Sequence, residues 1–191
     1  MYKQCKRSQS AARQRIMEQE LLQMMLIQRY EDISVSDLCR RIGIPRKSFY
    51  RYFASKDGAL HSLLDHILLA YALSRQPGDG ERKLRKEMEQ FFQFWLRNKK
   101  LLDALKRSNL SGILMERAVV LALARVDGGN SILPEEERQL RRLRITFVAC
   151  GLMSTVLSWH GEGFLRSPAE LSAATEQLLS QPLVLSVNWI L

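Results

Sequence analysis

Residues 46–56 read Arg-Lys-Ser-Phe-Tyr-Arg-Tyr-Phe-Ala-Ser-Lys, and they are the chain's most chemically suggestive stretch. Phe49 and Phe53 lie four residues apart, so on a helix they share one face and can anchor it inward. Arg46, Lys47, Ser48, Tyr50 and Tyr52 then point toward other faces, several of them outward. Two cations, a hydroxyl and two phenols near one helix N-terminus suit a polyanion. Arginine can bond guanine bidentately, and tyrosine can reach a phosphate or pack on a thymine methyl. Lys56, just past this helix, suits a phosphate. The bland alternative is that both tyrosines are core-edge aromatics, a common fate of half-buried tyrosine.

Other chemistry is poorly supported. No Ser-His-acid set, paired catalytic carboxylates, phosphate loop or metal-ligand spacing stands out. His61, His66 and His160 are too scattered for a metal site, and Cys5, Cys39 and Cys150 are an odd, widely spaced set. They read as incidental thiols in a reducing cytoplasm, with no metal or cofactor expected. An enzyme or small-molecule carrier with an incidental basic head remains a competing class, as does a helical protein-interaction module.

The formal net charge of +9 is unevenly placed: residues 1–60 carry twelve Lys/Arg against six Asp/Glu, the rest seventeen against fourteen. Two thirds of the excess thus sits in one third of the chain, as expected of a module facing nucleic acid. Lys3, Lys6, Arg7 and Arg13 form a basic arm that is either a frayed end or a phosphate contact. No apolar run is long enough to span a membrane, and no secretory signal is visible behind the basic start.

The elements that must position this chemistry are helical throughout; sustained period-2 alternation is missing. Met17, Leu21, Met24 and Met25 form an apolar stripe on a first helix over about 8–28. Ser34-Val35-Ser36-Asp37 reads as a capping box opening a second helix, whose Leu38 and Ile42 face a core. Gly43 closes it in the left-handed conformation that glycine adopts cheaply, and Pro45 opens a third helix over about 45–53. Longer helices follow over about 57–75, 80–97, 99–109, 111–126, 134–159 and 168–180. Phe91, Phe92, Phe94 and Trp95 crowd the second of these and read as core more readily than as a pocket. The apolar run 183–191 has no assigned place.

The stretch Tyr30–Leu64, YEDISVSDLCRRIGIPRKSFYRYFASKDGALHSLL, resembles the N-terminal signature of the TetR (tetracycline-repressor) family. The matching features are the aromatic after helix one, the capped helix two, Gly43, Phe49-Tyr50-x-Tyr52-Phe53, Ser55-Lys56-Asp57 and Leu60. The resemblance implies an all-α fold with a three-helix helix-turn-helix head over 1–56. A larger helical effector-binding and dimerisation body would occupy 57–191. It further implies a cytoplasmic, non-enzymatic regulator that binds double-stranded DNA as a homodimer. A small-molecule effector would release it from a palindromic operator, with repression the usual outcome.

By position, the resemblance makes Ser34, Ser36, Arg46, Lys47, Ser48, Tyr50, Tyr52 and Lys56 the DNA contacts. The expected dimer surface carries small residues at Gly151, Ser154, Thr155 and Ser158, with apolar area from Leu152, Val156, Trp159, Leu171, Leu178 and Leu179. A ligand cavity would draw on Phe91, Trp95, Leu114, Met115, Phe147 and His160. The chain departs from the family pattern at Arg29, in place of a usual glycine, and at Pro45, in place of a capping serine or threonine. Glu18 and Glu20 also stand where small or apolar residues are frequent. These departures bear on how helix one is seated.

Overall fold

The computed structural model describes residues 2, 8–74, 82–127 and 134–180, and over these it is built of α-helices. They are α1 (Ser8–Ile27), α2 (Val35–Ile42), α3 (Arg46–Tyr50), α4 (Lys56–Ser74), α5 (Arg82–Arg97), α6 (Lys99–Arg107), α7 (Ser111–Asp127), α8 (Glu135–Gly161) and α9 (Pro168–Ser180). A 3-10 turn at Tyr30–Asp32 follows α1. Lys3, Lys6 and Arg7 of the basic arm, Cys5, the run 183–191 and the Leu179 side chain lie outside the described residues and side chains.

The stripe on α1 is buried as its spacing requires, with Met17, Leu21, Met24 and Met25 all nearly inaccessible. Burying a side chain such as Leu21 contributes about 2 kcal/mol, which is why this helix holds its place against α2, α4 and α6. Ser34 caps α2 as expected: its Oγ accepts from the Asp37 N–H at 3.0 Å and donates to the Asp37 carboxylate. Hydrogen bonding to Ser34 and the nearby Arg40 hold the Asp37 carboxyl below its ordinary value. Gly43 closes α2 at φ 75°, a conformation that would strain a side-chain-bearing residue. Pro45 then takes the cap position of α3 in extended geometry without a side-chain bond.

The remaining helices form a body in which α7 lies along α8, α5 along α9, and α4 meets both α1 and α7. Its centre is aromatic. Phe92 sits edge-on to Trp159 at 5.8 Å, and Phe164 caps the same indole at 4.7 Å. The Trp159 Nε1–H donates to the Arg166 carbonyl, so this large polar aromatic is satisfied as well as buried. His160 bonds Asp103 across α8 and α6 at 2.7 Å.

One polar knot joins α1 to α4, and a second joins α4 to α7 and to Tyr2. Glu18, which departs from the family pattern, is buried but fully engaged. It accepts from Ser62 at 2.6 Å, meets His66 Nδ1 at 2.7 Å and lies near Arg15. Gln14 donates to the same Ser62 hydroxyl. One turn further along α4, buried Asp65 accepts both a bidentate Arg117 guanidinium, at 2.6 and 2.7 Å, and the Tyr2 hydroxyl. Buried charges survive only when paired in this way.

Candidate nucleic-acid interface and ligand cavity

α3 is five residues long and is held from behind. Phe49 is fully buried, Phe53 is 1 % exposed, and their rings lie 5.2 Å apart. Phe49 also receives the edge of Tyr50 at 5.5 Å. The opposite face presents Arg46, Lys47 and Tyr50 to solvent, with Ser48 half-buried beside them. Arg46 and Tyr50 are one turn apart and organise each other. The guanidinium donates to the Tyr50 hydroxyl at 3.3 Å and lies 5.9 Å from the ring centroid. Arg46 is raised above its ordinary value by this hydrogen bond. Ser34 and Ser36 sit at the start of α2, exposed and half-buried respectively.

Two of the expected contacts lie off this exposed face. The helix ends at Tyr50, earlier than the spacing predicts, and the Tyr52 amide closes a tighter three-residue turn on the Phe49 carbonyl, which also accepts from the Phe53 N–H. Tyr52 therefore leaves the outward face and is only 9 % exposed, against 47 % for Tyr50. Lys56 is likewise committed elsewhere. Its ammonium donates to the carbonyls of Tyr30 at 2.5 Å, Ile33 at 2.6 Å and Glu31 at 3.4 Å. It also sits 4.2 Å from the Tyr30 ring centroid. Three donors meet three acceptors, which leaves none for a phosphate. Burial pulls Lys56 below its ordinary value, with Asp57, Asp32 and Glu31 opposing the shift.

Lys56 thus ties the turn after α1 to the start of α4. Tyr30 completes the knot by donating to Asp57 at 2.6 Å, and burial together with that bond raises its phenol. This is how the turn after Arg29 is built without the family's glycine. Arg29 itself is extended at φ −71° and pairs with Glu31 at 2.8 Å. The same turn reaches the body: the Tyr30 N–H donates to Ser108 Oγ at 2.9 Å, and Arg107 donates to the Leu26 carbonyl. Sequence reasoning missed one cation here. Arg51 is exposed one turn after Lys47, and that spacing could have identified it.

In the body a cavity of about 540 Å³ opens among α4, α5, α7 and α8. Of the six residues expected to line it, Phe91 does so. Trp95 and Leu114 are fully buried in the core instead, and the Trp95 Nε1–H has no partner among the described residues. Met115 packs against that core from outside, and His160 is taken up by Asp103. Phe147 is 62 % exposed. The cavity has shifted because α7 and α8 meet through alanines. Ala118, Ala122 and Ala149 leave space where larger side chains would fill it.

Phe147 belongs to an outward row on α8 with Leu140 and Leu143, continued by Gly151, Ser154 and Ser158. These positions recur every three or four residues and share a face. Thr155 is half-buried and donates to the Gly151 carbonyl, while Leu178 of α9 is 61 % exposed. Trp159 and Leu171, expected on a dimer surface, are committed to the chain's own core, as is Val156. Leu152 lines the cavity.

The match to known proteins falls on the head. Residues 26–63 fit the family model described as bacterial regulatory proteins, tetR family. The head of this chain is thus similar to that of tetR-family regulators. Among curated tetR-type relatives, the HTH-type transcriptional regulator EthR of Mycolicibacterium smegmatis is 37% identical over 70 residues, which is 34% of this chain and 32% of EthR. EthR of Mycobacterium tuberculosis is 40% identical over 57 residues, 27% of this chain and 26% of the relative. The chain therefore aligns with about a third of these relatives' length or less.

The fold likeness is far longer. The fatty acid degradation regulator FadR from Bacillus halodurans superposes with a TM-score of 0.61 at 18% identity, covering 95% of this chain and 99% of FadR. The tetR-family repressor AlkX from Dietzia gives 0.55 at 16% identity over 87% of this chain and 92% of AlkX. Across the body, then, the fold of these two structures is shared at low sequence identity.

No described helix is long and apolar enough to cross a membrane, and no group of three or more metal-ligating side chains occurs among the described residues.

Proposed function

We propose that this chain is a tetR-family DNA-binding transcriptional regulator acting in the cytoplasm as a homodimer. Residues 1–56 serve as the DNA-binding head and 57–191 as the effector-binding and dimerisation body. The observation that carries this reading is the face of α3. Arg46, Lys47 and Tyr50 stand exposed on a helix whose other side is fixed by buried Phe49 and Phe53. A cationic, phenolic rod on a rigid support suits a major groove. Arg46 and Tyr50 would read base edges, while Lys47, Ser48, Arg51, Ser34 and Ser36 would hold phosphates. Tyr52 and Lys56 support this surface from beneath.

A single head offers few contacts, so pairing supplies the remaining affinity. The exposed row Leu140, Leu143, Phe147, Gly151, Ser154 and Ser158, with Leu178 of α9, is the surface we assign to the second copy. Two recognition helices would then enter successive major grooves, about 34–36 Å apart. A small molecule in the body cavity that favours a different spacing would lower DNA affinity through its unequal affinity for the two arrangements. That makes repression relieved by an effector the expected mode.

Selection of bound sequences from random duplex DNA tests the reading. A palindrome with half-sites one helical turn apart, or a multiple of it, supports it. Failure to enrich any sequence, with the protein folded, contradicts it.

A further inference from the structure

The body cavity has two chemically different ends. At its deep end are Met88, Phe91 and Met153, all buried. At its outer end are Arg125, Arg144 and Val148, all exposed. The helices explain the arrangement. α7 and α8 are joined by a short connection and lie side by side, so Arg125 near the end of one faces the early turns of the other. From Met153 back to Arg144 is nine residues of α8, or about 13 Å. Between the ends, every lining side chain is apolar apart from Tyr71 and Glu87.

Among the described residues the charges at the rim have no partner. Neither Arg125 nor Arg144 forms a hydrogen bond or ion pair with a described residue, whereas Glu87 already has an interaction partner. Two guanidiniums without a partner among the described residues, at the mouth of an apolar tube, favour one ligand shape. A carboxylate can take parallel hydrogen bonds from a guanidinium at the rim, where water still helps to solvate the charge. An apolar tail of about 13 Å would replace water along the tube.

We propose that the cavity binds an anionic amphiphile, a carboxylate with an unbranched apolar tail, whose head group is held by Arg125 and Arg144. This deepens the effector role suggested above and rests on it only for its regulatory consequence; the binding itself needs no DNA. Neutral amphiphiles of equal length lose the rim contacts, and cationic ones are repelled by the arginine pair.

The test is calorimetric titration of the full chain, without DNA, using dodecanoate and 1-dodecanol below their aggregation limits. Dodecanoate is expected to bind at least tenfold more tightly than the alcohol. The double variant Arg125→Gln/Arg144→Gln should bring dodecanoate to the alcohol's affinity and leave the alcohol unchanged. Ala149→Phe, which narrows the tube, should weaken both ligands while the helical circular-dichroism signal is retained. Equal affinity for the two ligands overturns the proposal, as does a charge preference that survives the double variant. Absence of binding by either ligand, in a preparation that still binds duplex DNA, overturns this inference alone. Dodecanoate binding in a protein with no DNA affinity would sink the regulator reading instead.

Discussion

The two halves of this molecule spend their polar groups differently. In the head, polar groups close on one another, locally at Ser34 and across more than twenty residues between Tyr30 and Lys56–Asp57, and a few cations on α3 are left over and exposed. In the body, aromatic and aliphatic packing dominates, and most of what is left over is apolar: a row on α8 and a tube beside it, with Arg125 and Arg144 at its rim. Leftover charge on a rigid support suits a charged polymer, whereas leftover apolar area suits a second copy or a lipid-like ligand. The Glu18 knot ties α1 of the head to α4 of the body, and the Asp65 knot ties α4 to α7 and to Tyr2. Any change of angle between head and body must disturb the first.

The largest effect should come from breaking a knot. Asp65→Ala leaves the Arg117 guanidinium, itself mostly buried, without its partner. A loss of about 3 kcal/mol is expected, read as a lower denaturant midpoint. A loss within 0.5 kcal/mol, the scale of an ordinary surface substitution, would show that α4 and α7 are not held together there.

Next in size is the contrast between two lysines of one head. Lys56→Ala strips the shared donor from the Tyr30, Ile33 and Glu31 carbonyls and should cost about 2 kcal/mol of stability. Lys47→Ala should leave stability unchanged and reduce the salt slope of DNA binding by about one. The reverse pattern would return Lys56 to the phosphate role its position in the sequence suggests.

On the body side, Phe147→Glu places a charge in the exposed α8 row. Sedimentation should show monomers at concentrations where the parent chain is dimeric, with the monomer's helical signal unchanged. A persistent dimer would move the interface elsewhere.

The smallest effect concerns acid. Asp37 is held below its ordinary value of 3.8, so its contribution is present above that pH. It is lost as pH falls through the lower value of the folded state. Asp37→Asn should remove this part of the acid dependence, visible as a flatter stability profile below about pH 4. An unchanged profile would mean that the cap does not titrate with folding.

What could be read from the sequence follows the same division. The Ser34 cap, the left-handed Gly43 and the Phe49/Phe53 anchor depend on neighbours within four residues, and they stand as their spacing requires. Lys56 does not: its acceptors lie more than twenty residues away. Tyr52 is set locally, by the tighter turn its amide makes on the Phe49 carbonyl, which the Phe49/Phe53 spacing does not mark. In the body, Trp159 and Phe147 look equally apolar in the sequence. One is buried by Phe92 and Phe164 and the other is left in solvent, a difference set by long-range packing. A cavity is harder still to foresee, because alanines such as Ala118 and Ala122 mark it by what they fail to fill.

The account rests most heavily on the exposed face of α3, and the most direct measurement is a salt titration of duplex-DNA binding. The full chain should be compared with its Arg46→Ala/Tyr50→Ala variant on the selected site and on unrelated duplex. The account predicts strong, steeply salt-dependent binding to the site, with the preference over unrelated duplex lost in the folded variant. Equal preference in both proteins, or no salt-dependent binding in either, would contradict it.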